Sequence, residues 1–521
     1  MRTDERLMPP AVIVRQVEEI SRFATLYGPG LLMDPRLEAM LLQVAAKELP
    51  SINLRRKVEG RRRLLHVVTE VFEVGGHTRV LDNWISLDRR SEHSVIFTKQ
   101  KSKLPEWLRF SLSEAGAHVH FLSPELSSLE SGRRLREFTA SQKWSAIVLH
   151  HHMNDAAPAL AFSEAGDIPI IIYNHADHLH WLGVSIADLI IDFSPKRMEY
   201  SRIFRKAKRG YLLPYPLGNA VPCMDAKEFR YALGLASSDV MLVSMGNRYK
   251  FCPHGEYDFL AVMAQVLKAC PQSHLYVIGL SRDDYAQFSG SPFPSNLHCV
   301  GELSNPVNYC AAADLFVEPF PIGTGLGVFD VCRFGATPLF AFGDMPTVYG
   351  EGCIDLFGGS GVETRLGTEQ EYRTYLVDLI LDSKKRKALG ERVENFINER
   401  CVGQGWIEEL ERMYLQVQKI DHQVAVPIEE NRGTDRNFRE FHRFACRDFL
   451  SPLMHAITLT SFAVSLSQFL LINWWFLRGL PFAVHARRTC RGLGFSLLFR
   501  FNVRTMRRLV LHLFKQRIVP I

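Results

Sequence analysis

Two successive series of short β-branched runs, parted by one proline-rich stretch, constrain this chain more than anything else in it. LLHVVT (64–69), SVIFT (94–98), HVHFL (118–122), SAIVL (145–149), IPIIIY (168–173) and ADLIID (187–192) read as buried parallel strands. Longer helical stretches lie between them, the alternation expected of an open, doubly wound sheet. The connector Leu213-Pro-Tyr-Pro-Leu-Gly-Asn-Ala-Val-Pro222 then breaks the pattern and reads as an interdomain hinge. After it the alternation restarts with VMLVSM (240–245), HLYVIGL (274–280), LHCV (297–300), DLFVE (314–318) and TPLFA (337–341). The fold class expected is α/β: two doubly wound Rossmann-like domains, 64–212 and 223–418, facing each other across a cleft about a hinge at 213–222.

The flanks differ in texture. Residues 1–63 form a helical N-terminal extension, with Val14, Val17, Ile20 and Phe23 at roughly helical spacing and a basic end at Asn53–Arg63. Residues 419–448 are polar and charged and read as a linker. Beyond Asp448 there is no acidic residue, and ten Arg and Lys lie between Arg478 and Arg517. The chain holds 62 basic and 56 acidic residues, so 62 − 10 leaves 52 basic against 56 acidic before the tail, a balance of −4. The positive charge belongs to the tail, and no nucleic-acid partner is expected of the body. Phe449–Leu477 is a run of 29 uncharged residues, long enough to span a bilayer but diluted by His455, Ser465, Gln468 and Asn473. The basic segment after it resembles an interfacial helix, so 449–521 is expected to attach to an anionic membrane surface. The ten scattered cysteines form no CxxC pair and the N-terminus lacks the apolar core of a signal peptide; both favour the cytoplasm, peripheral at the inner face of the membrane.

In open α/β sheets ligands bind outside the carboxyl ends of strands, so the residues that follow each strand are the candidates. After the first strand come Gly75-Gly76-His77, where a glycine pair lets backbone approach a ligand and a helix begins. SAIVL leads to His150-His151-His152-Met153-Asn154-Asp155, and IPIIIY to Asn174-His175-Ala176-Asp177-His178. These polar clusters suit general-base or hydroxyl-binding roles better than metal ligation, because their spacing matches no zinc motif and the chain shows no Asp-x-Asp pair. In the second domain Gly246-Asn247-Arg248-Tyr249-Lys250 offers cations to a diphosphate. The strongest stretch is Glu318-Pro-Phe-Pro-Ile-Gly323-Thr324-Gly325-Leu-Gly327-Val-Phe-Asp330, whose loop amides would cradle phosphate and whose Asp330 would accept from ribose hydroxyls.

At these residues, over Leu64–Tyr414, the sequence resembles the GT-B superfamily of glycosyltransferases, with features like the branch of the O-GlcNAc transferases and bacterial adhesin glucosyltransferases. Lys250, three residues before Pro253, matches that branch's diphosphate-binding lysine, and the Gly-Thr-Gly loop ending at Asp330 matches a segment contacting the nucleotide. His77 corresponds to a histidine near the acceptor. The chain departs from the pattern at Gly325, Leu326 and Gly327, where Thr or Asn is common, and at Ile322, which replaces the first of two acidic residues eight apart in many retaining relatives.

The resemblance implies a nucleotide diphosphate sugar, UDP-linked, held mainly on the second domain by Arg248, Lys250, Gly323, Thr324, Gly325, Gly327 and Asp330, with Gly76 of the first domain beside it. The acceptor, a glycan, lipid-linked or protein hydroxyl, would meet His152, Asn174 and His178, with His77, His175 and Asp177 as the catalytic candidates. The expected enzyme is a hexosyl- or N-acetylhexosaminyltransferase with no metal and no cofactor besides its donor. A nucleotide-sugar epimerase of the same fold, or a non-catalytic binding protein, are the alternatives.

Overall fold

A computed structural model of the chain describes residues 9–426 apart from 28–31, 53–55, 57–58, 74, 165, 178, 254–256, 290–291, 321, 343–356, 358–361 and 363–365. The expected membrane-attaching tail and most of the expected linker lie outside the described residues.

Helices α1 (Pro10–Tyr27) and α2 (Pro35–Glu48) precede the first sheet. Their apolar faces, Val14, Val17, Leu37, Leu41 and Val44, pack with Leu129, Leu160 and Leu182 of the first unit, so the extension is part of that unit's core. A buried carboxylate fixes it there: Glu38 accepts from the Gly183 and Ser185 amides at 2.8 and 2.9 Å.

The first unit alternates β1 (Arg63–Val68), α3 (Gly76–Leu87), β2 (Glu92–Phe97), α4 (Glu106–Glu114), β3 (His118–Phe121), α5 (Ser128–Ala140), β4 (Ala146–His150), α6 (Ala157–Ala161), β5 (Ile170–Tyr173), β6 (Leu189–Asp192), α7 (Pro195–Phe204) and β7 (Gly210–Leu212). Its strands are all parallel in the order β3-β2-β1-β4-β5-β6-β7. The central strands are closed to solvent on both faces, which is why their sequences run apolar without alternation. The edge strand β7, only three residues long, carries no such signal in the sequence.

The second unit runs α8 (Ala226–Ala232), β8 (Val240–Met245), α9 (Phe259–Ala269), β9 (Ser273–Ile278), α10 (Arg282–Phe288), β10 (Leu297–Gly301), α11 (Val307–Ala312), β11 (Leu315–Val317), α12 (Gly327–Cys332), β12 (Thr337–Leu339), α13 (Glu369–Leu381), α14 (Ser383–Cys401) and α15 (Gly403–Val417). Its parallel sheet has the order β10-β9-β8-β11-β12.

The two units are joined twice. The proline-rich connector is seated: Leu213, Tyr215 and Leu217 are buried. Leu217 donates its amide to Cys401 at 2.8 Å, and Trp406 Nε1 donates to the Pro214 carbonyl at 2.8 Å. The chain crosses back beside it, and α15 docks on the first unit. Trp84 Nε1 donates to the Tyr414 hydroxyl at 3.0 Å, which donates to Asp88 at 3.1 Å, while Arg62 pairs with Glu411. Residues 419–426, the start of the expected linker, are bound to the same unit: buried His422 meets Asp188 at 2.8 Å and Ala425 donates to the Ser185 carbonyl at 3.0 Å.

Inside the first sheet three histidines of neighbouring strands form one hydrogen-bonded chain. His93 Nε2 lies 2.8 Å from the Asp88 carbonyl, which can only accept, so Nε2 carries the proton and Nδ1 is the acceptor. His66 Nε2 therefore donates to His93 Nδ1 at 3.0 Å, and His150 Nε2 donates to His66 Nδ1 at 3.1 Å. One carbonyl sets the tautomer of all three rings, and burial holds each below the ordinary histidine pKa, His150 down to about 3.

Candidate functional site

In both sheets the strand order reverses beside the first strand, between β1 and β4 and between β8 and β11. Loops leaving a parallel sheet diverge at such a point and leave a crevice. The four loops concerned, with the neighbouring loop after β5, carry the expected site residues, and those of the two units touch. A Cβ on Gly76, at the start of α3, would stand 2.8 Å from Leu326 Cδ1 of the glycine-rich loop, so glycine is what lets that loop come so near. Ile322 of the same loop is buried against Leu32 and Tyr200 of the first unit.

On the first unit's wall His77, His152 and His175 come together. The His77 ring lies 5.5 Å from that of His152 and 5.2 Å from that of His175, and Phe72, 45% exposed, stacks on His152. His77 Nε2 donates to the Glu70 carbonyl at 2.9 Å, which leaves the lone pair on Nδ1. The ring is half-buried, and the surrounding protein lowers its pKa to about 4 despite that carbonyl. Burial likewise holds His152 and His175 below their ordinary values. All three are neutral at pH 7. The His152 ring stands edge-on to His77 and that of His175 is tilted against it, and among the described residues no three His, Cys, Asp or Glu side chains are grouped to hold a metal ion.

Two expected residues of this wall face inward instead. Asn174, expected at the acceptor, is 2% exposed and spends its amide on Asp192 Oδ1 at 2.6 Å, fastening β5 to β6. Asp177, expected among the catalytic groups, is 1% exposed and ion-paired with Arg197 at 3.0 Å. The reason is common to both: each side chain is buried, where a carboxylate or amide must be paired. His178 lies outside the described residues.

On the second unit's wall Lys250 is buried and donates from Nζ to the Gly323 carbonyl at 2.6 Å, tying the loop after β8 to the glycine-rich loop after β11. Thr324 presents a buried hydroxyl that has no protein partner among the described residues, and a Cβ on Gly327 would come within 3.2 Å of it. Asp330, one turn into α12, is exposed yet low between the units. The protein crowding it raises its pKa to about 6, against the pull of Arg333 and of Arg79 from the facing unit. Arg248, expected to meet a diphosphate, departs from the group: it pairs with Asp284 of α10, donates to Gln287 at 2.6 Å and lies over the Phe288 ring. The single 3-10 turn Arg248–Phe251 buries Lys250 and Phe251 and leaves Arg248 and Tyr249 on its outer side.

The loop amides also differ from expectation. Those of Thr324 and Gly325 are not open to solvent anions; they donate to Glu318 Oε1 at 3.0 and 3.4 Å. Glu318 thus joins the site, and with it Arg197, whose charge reaches Glu318 across the crevice. Sequence reading missed both roles. A carboxylate as the last residue of an apolar strand, just before a glycine-rich loop, was the available signal for Glu318; Arg197 had none.

No family model and no curated protein matches this chain. Among solved structures it is similar to a mutant O-GlcNAc transferase of Thermobaculum terrenum, with a TM-score of 0.52 and 16% identity over 78% of this chain and 77% of that one. It is also similar to a glycosyltransferase of Rickettsia africae, with a TM-score of 0.51 and 10% identity over 69% of this chain and all of that one. The arrangement of two parallel α/β units that it shares with them is the GT-B fold.

Proposed function

From that fold and the crevice within it, we propose that this chain is a glycosyltransferase that moves a sugar from a UDP-linked donor to an acceptor hydroxyl. One observation carries the reading: the glycine-rich loop of the second unit, tied down by Lys250, meets Gly76 of the first, the residue before His77, at the reversal points of both sheets. A diphosphate beside Lys250 would receive charge from its ammonium and a hydrogen bond from Thr324 Oγ1. Asp330, ionised at neutral pH, would take ribose hydroxyls.

In the transfer the bond from the sugar's anomeric carbon to the diphosphate breaks, the acceptor oxygen bonds to that carbon, and the acceptor proton leaves. His77 Nδ1 is the group suited to meet that proton. Burial keeps its pKa low, and the negative charge of a bound donor would raise it. The half-exposed Phe72 beside His152 offers an apolar face to the acceptor. Among the described residues no helix is long and apolar enough to cross a membrane. For 449–521 the proposal remains attachment to anionic lipid, resting on its acid-free basic composition.

The test is binding of UDP-, GDP- and dTDP-linked sugars by calorimetry, followed by turnover of the one that binds. A UDP-sugar bound in the micromolar range by the wild type and lost in Lys250→Ala supports the assignment. Equal affinity in both would refute it.

A further inference from the structure

The glycine-rich loop already holds an anion. Glu318 leaves β11 fully buried, and its Oε1 accepts from two successive loop amides, Thr324 and Gly325. The fit is tight: a Cβ on Gly323 would stand 2.5 Å from that oxygen, so the loop is wrapped around the carboxylate. Its other oxygen, Oε2, is buried with no hydrogen-bond partner among the described residues. A carboxylate in such a place is held with little compensation.

The groups facing Glu318 are Lys250 from the loop after β8, Arg197 from α7 across the crevice, Tyr372 from α13 and Cys332 from α12. Arg197 is shared with Asp177, and Tyr372 and Cys332 are neutral, burial holding both far above their ordinary pKa. Lys250 and, across the crevice, this shared Arg197 are the charges that balance Glu318. A doubly charged diphosphate arriving at Lys250 places more negative charge beside the carboxylate than one ammonium offsets.

We propose that Glu318 is the proton-linked brace of the donor site: ionised when the crevice is empty, it takes a proton from solvent when a nucleotide-sugar diphosphate binds beside Lys250. The proton goes onto the unpartnered Oε2, and Oε1 keeps both loop amides, so the loop holds its shape while its charge falls by one. The wrapped carboxylate is poised for this, since desolvation lifts Glu318 to about 7 against the loop amides, Lys250 and Arg197. The inference rests on the nucleotide-diphosphate reading of this site and goes beyond it by naming the group that titrates.

The experiment is calorimetric titration with UDP-glucose, whose diphosphate has no ionisation near neutrality, in buffers of different ionisation enthalpy from pH 6 to 8.5. Wild type is expected to take up a proton on binding, and its affinity to fall as pH rises above 7. Glu318→Gln keeps the acceptor for both amides without the charge. It should bind with little pH dependence, and about tenfold more tightly than wild type at pH 8, the factor for one pH unit above the carboxyl's pKa. Glu318→Ala, which strands the two amides, should bind more weakly at every pH. Melting temperatures establish that both variants are folded. Proton uptake undiminished in Glu318→Gln would assign the proton to His77 or Asp330 and overturn the proposal, as would binding by wild type without uptake. If no UDP-, GDP- or dTDP-linked sugar binds at any pH, the donor reading itself falls and takes this one with it.

Discussion

Acidification toward pH 5 should loosen the first unit through its buried histidines. The His66–His93–His150 chain is neutral in the folded protein, and His66 and His150 are each held far below the ordinary value. In the unfolded chain an imidazole takes up its proton near pH 6.5. Below that pH the unfolded state binds more protons than the folded one, so stability is complete above about pH 6.5 and is lost as pH falls toward the folded pKa. For one such ring the loss between pH 6.5 and 5 is about 1.5 kcal/mol, and for His66 and His150 together about 3 kcal/mol. Urea unfolding followed by tryptophan fluorescence reads this directly, because the Trp84 indole stands edge-on to both rings at 5.9 and 5.8 Å. His66→Leu should be less stable at pH 7, since it strands His93 and His150, and should lose less stability than wild type on going to pH 5. A wild-type unfolding free energy that stays level between pH 6.5 and 5, or nitrogen NMR showing the Nδ1–H tautomer at His66, would refute the reasoning.

Other outcomes follow from the crevice and from the docking of α15. Lys250→Ala should lower donor-dependent turnover about 100-fold while leaving the melting temperature within a few degrees, as loss of a charge-stabilising donor does; stopped assays with the matched sugar measure it. Gly76→Val should raise the KM for donor about tenfold with kcat less affected, because its side chain would displace Leu326 of the facing loop. Asp330→Asn should remove a loss of donor affinity that wild type shows as pH falls below 6, where the Asp330 carboxylate is neutralised. Tyr414→Phe should cost about 1–3 kcal/mol of stability by leaving the buried Trp84 N–H without its acceptor, which thermal unfolding would show.

The strands at the centre of both sheets were legible because burial on both faces writes itself as unbroken apolar runs; VMLVSM coincides with β8 residue for residue. The three-residue β7 was not, since an edge strand bonded on one side needs no such run. Within the site, the meeting of Lys250 with the glycine-rich loop and the clustering of His77, His152 and His175 stand where strand-end reasoning put them. What sequence could not assign was direction. Asn174, Asp177 and Arg248 occupy the right loops, yet each is turned to a partner distant in sequence, and only folded coordinates name Asp192, Arg197 and Asp284 as those partners. The same holds for Glu318, whose importance depends on two amides six and seven residues ahead of it wrapping back around its carboxylate.

The double crossing between the units has a mechanical meaning. Because Leu217 on the outward path is bonded to Cys401 on the return path, the two joints lie side by side rather than at opposite ends of the interface. A body held at two adjacent points can swing about the line through them but cannot slide or spin freely, as a door on paired pins cannot leave its frame. Any such swing works against the packing of Ile322 beside Leu32 and Tyr200, which therefore acts as the latch between the two walls of the crevice.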